Sequence, residues 1–170
     1  GLTISAVITD GAVSFAINKL GGSTVTLSGA NTYDGTTTIN AGTLAISGSG
    51  TAGTGTIAVG ANTLNINNDA TLANAVTITT GTIGNTAGAG TLATGGVTLN
   101  GAANLSSTTG TGLTVSAVIA QTAGTDTVTK TGAGTVTLSG ANTYTGGTTV
   151  SAGTLAISGS GTAGTGTIAV

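Results

Sequence analysis

The chain has no cysteine, proline, methionine, tryptophan, histidine, glutamate or arginine, and its 170 residues include one phenylalanine and two tyrosines. Without cysteine there is neither disulfide nor thiolate chemistry, so cysteine pairing gives no redox compartment. With Phe15, Tyr33 and Tyr144 as the only aromatic side chains, large rings do not anchor the interior. Six side chains are charged, Asp10, Lys19, Asp34, Asp69, Asp126 and Lys130, for a formal net charge of −2. That balance steers neither nucleic acid nor an anionic membrane. No apolar run approaches the roughly 18 to 20 residues of a membrane-spanning helix, so no membrane insertion by this segment is expected. No basic stretch followed by an apolar one opens the chain, and any export signal is expected outside it.

What is present is Thr, Gly, Ser and Asn beside Ala, Val, Leu and Ile. Disorder is the first reading to test, but disordered chains combine low hydrophobicity with high charge. Here 38% of residues are hydrophobic and 4% charged, the reverse on both counts.

The sequence repeats itself. TVTLSGANTYDGTTTINAGTLAISGSGTAGTGTIAV at 24–59 returns at 135–170 with 32 of 36 positions identical, so that Thr24 recurs as Thr135 and Val59 as Val170. The same offset aligns GLTISAVI at 1–8 with GLTVSAVI at 112–119. The chain therefore reads as a first unit at 1–111 and the start of a second at 112–170, one continuous structure and a segment of a longer array. Between the matching blocks, residues 9–23 and 120–134 have diverged, keeping Ala12/Ala123, Lys19/Lys130 and Gly21/Gly132.

Within the unit, short runs alternate Val, Leu or Ile with Thr, Ala or Asn: TVTL at 24–27, TLAI at 43–46, TIAV at 56–59, TLNI at 63–66, VTI at 76–78 and VTL at 97–99. Period two is the pattern of a strand with one buried face. SGAN, NAG, SGSGTAGTG and NGAAN between them are turn material. A closed sandwich needs larger core side chains and does not tolerate a break partway through its second copy; a solenoid, in which each coil contacts only its neighbours, does. The expected fold is all-β, a parallel β-helix of about eight coils of about 20 residues, near 40 Å long at roughly 4.8 Å per coil. The inward set is Val25, Leu27, Ile39, Leu44, Ile46, Ile57, Val59, Leu64, Ile66, Val76, Ile78, Val97, Leu99, Leu113, Val115 and their repeat counterparts.

Candidate chemistry is sparse. Acid–base catalysis needs titrating groups held together, and the four aspartates at 10, 34, 69 and 126 are scattered. No catalytic residue, cofactor or metal is expected. Asp10-Gly11 and Asp34-Gly35 lack the tandem nonapeptide of calcium-binding solenoids and read as turns. GSGTAGTGT at 48–56 lacks the lysine and helix of a phosphate loop and reads as a coil corner. Threonine is the sharper case: Thr24-x-Thr26, Thr36-x-Thr38, Thr77-x-Thr79 and Thr135-x-Thr137 are candidate outward rows of an ice-binding face, though their spacings show no constant step. Asn31 and Asn142 are candidate turn residues that form amide ladders if stacked. Tyr33 and Tyr144 are expected over a turn with their hydroxyls in water.

The stretches TLSGANTYDGTTTINAGTLAI at 26–46 and TLSGANTYTGGTTVSAGTLAI at 137–157 resemble the autotransporter-associated β-strand repeat, whose pattern reads approximately LTLSGANTYTGGTTVNAGTLAL. The first departs from it at Asp34 and Thr36. This resemblance implies a right-handed parallel β-helix in the exported passenger of a large bacterial surface protein, located extracellularly or on the outer surface. It also implies a structural spacer without catalytic residues. The expected role is a fibre or passenger stalk; the alternative is an adhesin or ice-binding surface on the same rod. Expected partners are further repeats, in the same chain or by head-to-tail self-association. A surface or glycan ligand, if there is one, is left unidentified.

Overall fold

A computed structural model describes residues 1–170, and all regular structure is β. The first coils contain β1 (Leu2–Ile4), β2 (Ile17–Lys19), β3 (Thr24–Leu27), β4 (Thr37–Ile39), β5 (Thr43–Ser47) and β6 (Ile57–Val59). The middle contains β7 (Thr63–Asn67), β8 (Ala70–Leu72), β9 (Val76–Ile78), β10 (Thr82–Asn85), β11 (Gly90–Leu92), β12 (Val97–Leu99) and β13 (Ala103–Ser107). The last part contains β14 (Leu113–Val115), β15 (Ile119–Gln121), β16 (Val128–Thr131), β17 (Thr135–Leu138), β18 (Thr148–Val150), β19 (Thr154–Ile157) and β20 (Ile168–Ala169).

These strands form three parallel sheets. The nine-stranded sheet runs β1-β3-β5-β7-β10-β13-β16-β18-β20, the six-stranded sheet β2-β4-β6-β9-β12-β15, and the five-stranded sheet β8-β11-β14-β17-β19. Neighbours within a sheet come from successive turns of the chain, so the molecule is a β-solenoid of about eight turns. The turns are unequal: a short one runs from Thr24 to its partner Thr43, and a long one from Asn104 to its partner Thr129.

The alternation of the sequence sets which side chains enter. In the nine-stranded sheet Leu44, Leu64, Ile83 and Leu105 stack directly on one another. Ile39, Val59, Ile78 and Leu99 do the same in the six-stranded sheet, and Leu72, Leu92, Val115 and Leu138 in the five-stranded one. Burying each such side chain stabilises by roughly 1.5–3 kcal/mol, and the columns merge into one core of 28 buried residues. Every inward residue named from the sequence is buried except Val25, which is half-buried. Among the repeat counterparts, Val136 and Leu138 are buried, and Val150 and Leu155 half-buried. Ile157, Ile168 and Val170 are exposed in the last coil, which has a neighbour on one side only.

Most left-handed backbone in the turns is supplied by glycine, and two residues with side chains adopt it as well. Asn68 and Asp69, with φ of 53° and 66°, turn the chain from β7 into β8. Asparagine and aspartate tolerate the left-handed region better than other residues with a side chain, and the Asn68 amide also donates to Ser47 Oγ one coil away at 2.8 Å.

Candidate functional site

The repeated stretch SGANTY lies where the chain passes between sheets without forming a strand, at 28–33 and again at 139–144. Both asparagines are buried, 4% exposed for Asn31 and 3% for Asn142. Asn31 Oδ1 accepts from Ile8 N at 2.8 Å, one coil before, and its Nδ2 donates to Thr51 O at 2.6 Å, one coil after. Asn142 repeats this with Ile119 N at 2.7 Å and Thr162 O at 2.6 Å. Thr51 and Thr162 return a bond through their hydroxyls to Asn31 O and Asn142 O at 2.6 and 2.7 Å. Each asparagine is thus a clamp across three coils. The two do not stack into the amide ladder expected of them, because their neighbours above and below are backbone groups.

The tyrosines correct a second expectation. Tyr33 and Tyr144 are 0% exposed, not wet. Each lies against a glycine of the next coil, where a Cβ on Gly53 would stand 2.7 Å from the Tyr33 ring and one on Gly164 would stand 2.6 Å from the Tyr144 ring. Their hydroxyls are satisfied inside the solenoid by Thr37 Oγ1 and Thr148 Oγ1, both at 2.6 Å. Thr148 Oγ1 donates onward to Ala163 O at 2.9 Å. Burial raises both phenol pKa values above the usual 10.0, and the threonine hydrogen bonds offset part of that rise. Phe15 stacks on Tyr33 with ring centroids 5.9 Å apart.

A different turn holds a buried lysine that sequence reasoning missed. Lys19 and Lys130 point inward, 6% and 0% exposed, and occupy core columns: Lys130 lies between Leu105 and Val150, and Lys19 beside Ile39. Lys130 Nζ donates to the carbonyls of Thr131 and Gly132 at 2.7 Å and to Ala152 O in the next coil at 2.9 Å. Lys19 Nζ donates to Gly21 O and, at 2.8 Å, to Ala41 O. All these partners are backbone carbonyls. Burial lowers the Lys130 pKa from the usual 10.5. The signal was present in the sequence: Lys19/Lys130 is the one charged pair kept through the diverged blocks, and it falls at a period-two inward position.

The aspartates do not gather, and no group of three or more metal-ligating side chains forms. Asp10 Oδ2 accepts from Asp34 N at 2.8 Å, which lowers the Asp10 pKa. In the second copy Gln121 Oε1 takes the same role toward Thr145 N at 2.8 Å. The bond survives a change from carboxylate to amide, which marks it as a corner cap.

The threonine candidates fall on different faces. Thr24 and Thr26 are on the nine-stranded sheet, Thr38 and Thr77 on the six-stranded sheet, and Thr135 and Thr137 on the five-stranded sheet. Thr36 precedes β4 and Thr79 follows β9. They make no single row. A different row does exist: Thr24, Thr43, Thr63, Thr82, Asn104, Thr129 and Thr149 are paired one above another down the nine-stranded sheet. Unequal coil lengths hide this row from any search for a fixed step.

Clamp, buried tyrosine and inward lysine all hold one coil to the next, on a solenoid with a parallel core: the arrangement is that of a repeat-built structural segment. Consistent with that class, the family model described as Passenger-associated-transport-repeat matches residues 17–46 and 128–157. Those spans run from each inward lysine region through the asparagine corner. The chain thus carries two such repeats on a β-solenoid, an arrangement typical of autotransporter passengers, which are surface-exposed or secreted. No curated protein matches the chain, and no solved structure does.

Proposed function

We propose that this chain is a rod-like spacer segment of an extracellular passenger, extending other modules away from a bacterial surface. The observation that carries the reading is the unbroken nine-stranded sheet: β13 of the first unit pairs with β16 of the second through four registered residues, as if no unit boundary existed. Each added unit extends the same core, so length is set by duplication. Apolar side chains exposed at the two ends, among them Leu2, Val13 and Leu20 at one and Ile168 and Val170 at the other, are the surfaces that further repeats of the same kind cover.

The test places the chain between an outer-membrane anchor and a fluorescent reporter, with one, two or three units. Energy transfer to a dye in the membrane is expected to fall stepwise as units are added. Transfer that is unchanged by unit number sinks the spacer reading. A second reading is supported by the in-register column from Thr24 to Thr149, which carries a hydroxyl at every level except that of Asn104. It expects thermal hysteresis or glycan-array binding that is lost when Thr63 and Thr82 become lysine; the spacer reading expects neither activity.

A further inference from the structure

The two copies of the repeat do not lie on the same sides of the solenoid. β2 belongs to the six-stranded sheet and its copy β16 to the nine-stranded one; β4 and β6 move in the same way to β18 and β20. β1, β3 and β5 belong to the nine-stranded sheet, while their copies β14, β17 and β19 form part of the five-stranded one. The asparagine corner moves with them. Thr32 N donates to Ile8 O, whereas the equivalent Thr143 N donates to Ile119 O in β15 of the six-stranded sheet.

Between β2 and β16 the chain visits the faces in a constant order, six-stranded, nine-stranded, five-stranded, once two strandless passes are counted. Residues 28–36 and 48–56 run along the five-stranded side, where Thr51 N donates to Gly29 O and Asn74, just after β8, donates to Gly53 O. From β2 to β16 it takes sixteen face-steps, which is five turns and one third. From this we infer that a run of these units is a screw that turns one third of a circle per unit. It returns to the same side after three units, which together make sixteen coils.

The chemistry allows the shift because the inward columns of all three faces are built alike. TVTL at 24–27 lies between Leu2–Ile4 and TLAI at 43–46 on the nine-stranded sheet, and the identical TVTL at 135–138 lies between Leu113–Val115 and TLAI at 154–157 on the five-stranded sheet, so the same aliphatic contacts form on either face. An aliphatic stacked on an aliphatic at the same pleat position is equally well packed on either face. At about 4.8 Å per coil the rise is about 26 Å per unit, and the full period about 77 Å.

The consequence is how such a rod meets its surroundings. Any feature borne by one unit is presented in three directions around the axis, so a partner that recognises that feature is gathered on all sides and never along a single flank. The threonine column illustrates it. Thr24, Thr43, Thr63, Thr82 and Asn104 belong to the first unit. The same column continues with Thr129, Thr149 and Ala169, whose counterparts Asn18, Thr38 and Ala58 stand on the six-stranded sheet. Every side of a long array is a mosaic of all three faces, and none stays uniform.

The one-third turn is a property of the solenoid itself, whatever the rod carries. Spin labels on Thr43→Cys with Thr149→Cys sit five coils apart on one sheet, about 24 Å along the axis. Labels on Thr38→Cys with Thr149→Cys, which are sequence equivalents, sit on different sheets. Pulsed electron resonance is expected to give the shorter distance for the first pair. The reverse order, or equal distances, overturns the one-third turn, because a unit of whole turns puts Thr38 and Thr149 in line. Circular dichroism checks that each labelled chain folds; if Thr43→Cys does not, Thr63→Cys with Thr149→Cys replaces it, four coils and about 19 Å apart. In electron micrographs of a chain of six units, the same screw is expected as an axial repeat every third unit.

Discussion

Asn142 shows how a single side chain governs contact between coils. Its amide is buried and both of its polar atoms are used, one by the coil before and one by the coil after. Asn142→Ala strands the buried Ile119 N–H, costing about 1–3 kcal/mol, and leaves the Thr162 carbonyl of the exposed last coil to water; it is expected to lower unfolding free energy by about 2 kcal/mol in urea titration. Asn40→Ser, at an exposed position where the other copy already has Ser151, is expected to change it by less than about 0.5 kcal/mol. Asp126 is the counterpart of Phe15, and its Oδ2 is buried without a hydrogen-bond partner. Asp126→Phe removes that atom and supplies Tyr144 with the ring that Phe15 gives Tyr33; a gain of about 1 kcal/mol is expected in thermal unfolding.

The tyrosines also set an alkaline limit. Their native pKa values are raised, so between 10.0 and those values the unfolded chain ionises and the native one does not. Their contribution is complete below pH 10 and is lost as pH rises through the native values. Lys130 has the opposite sign in its own window: from its lowered native pKa up to 10.5 the unfolded chain binds more protons, and stability rises with pH. Urea titrations across this range are expected to show stability falling above pH 10 in the parent, and a flatter profile when Tyr33 and Tyr144 are both phenylalanine.

At the scale of strands and corners, the inward lysine is the informative case. Val128-Thr129-Lys130 has the alternation of a core strand, yet a charged residue at an inward position reads from sequence as solvated. What reverses the reading is the set of three carbonyls at the corner, those of Thr131 and Gly132 and one in the coil above. Lys130→Met keeps the stem and removes the ammonium. It is expected to lower stability by about 2–4 kcal/mol, chiefly by leaving those carbonyls unpaired, and to raise hydrogen exchange at Ser151, whose amide bonds Lys130 O at 2.9 Å. The strands themselves were legible because Leu44-Ala45-Ile46 and its kin alternate over a period that only a strand satisfies. Tyr33 was not, because its burial depends on Gly53, a full coil away, being small enough to let the next coil close over the ring. The threonine column was not, because the step from Thr24 to Thr43 is shorter than that from Asn104 to Thr129, and no fixed spacing finds both.

For the whole molecule, the repeat gave away the architecture but not its pitch. Two near-identical stretches suggest identical placement, and only the continuation of the sheets, from β3 and β5 through β7, β10 and β13 to β16 but from β17 and β14 to β11 and β8, shows the copies on different faces. A molecule in which each coil touches only its neighbours grows along one axis and keeps its cross-section. Small-angle X-ray scattering of this chain beside the same chain extended by one further unit tests that most directly. The account predicts a maximum dimension about 26 Å longer with the cross-sectional radius unchanged; a longer chain that thickens, or that gains no length, contradicts it.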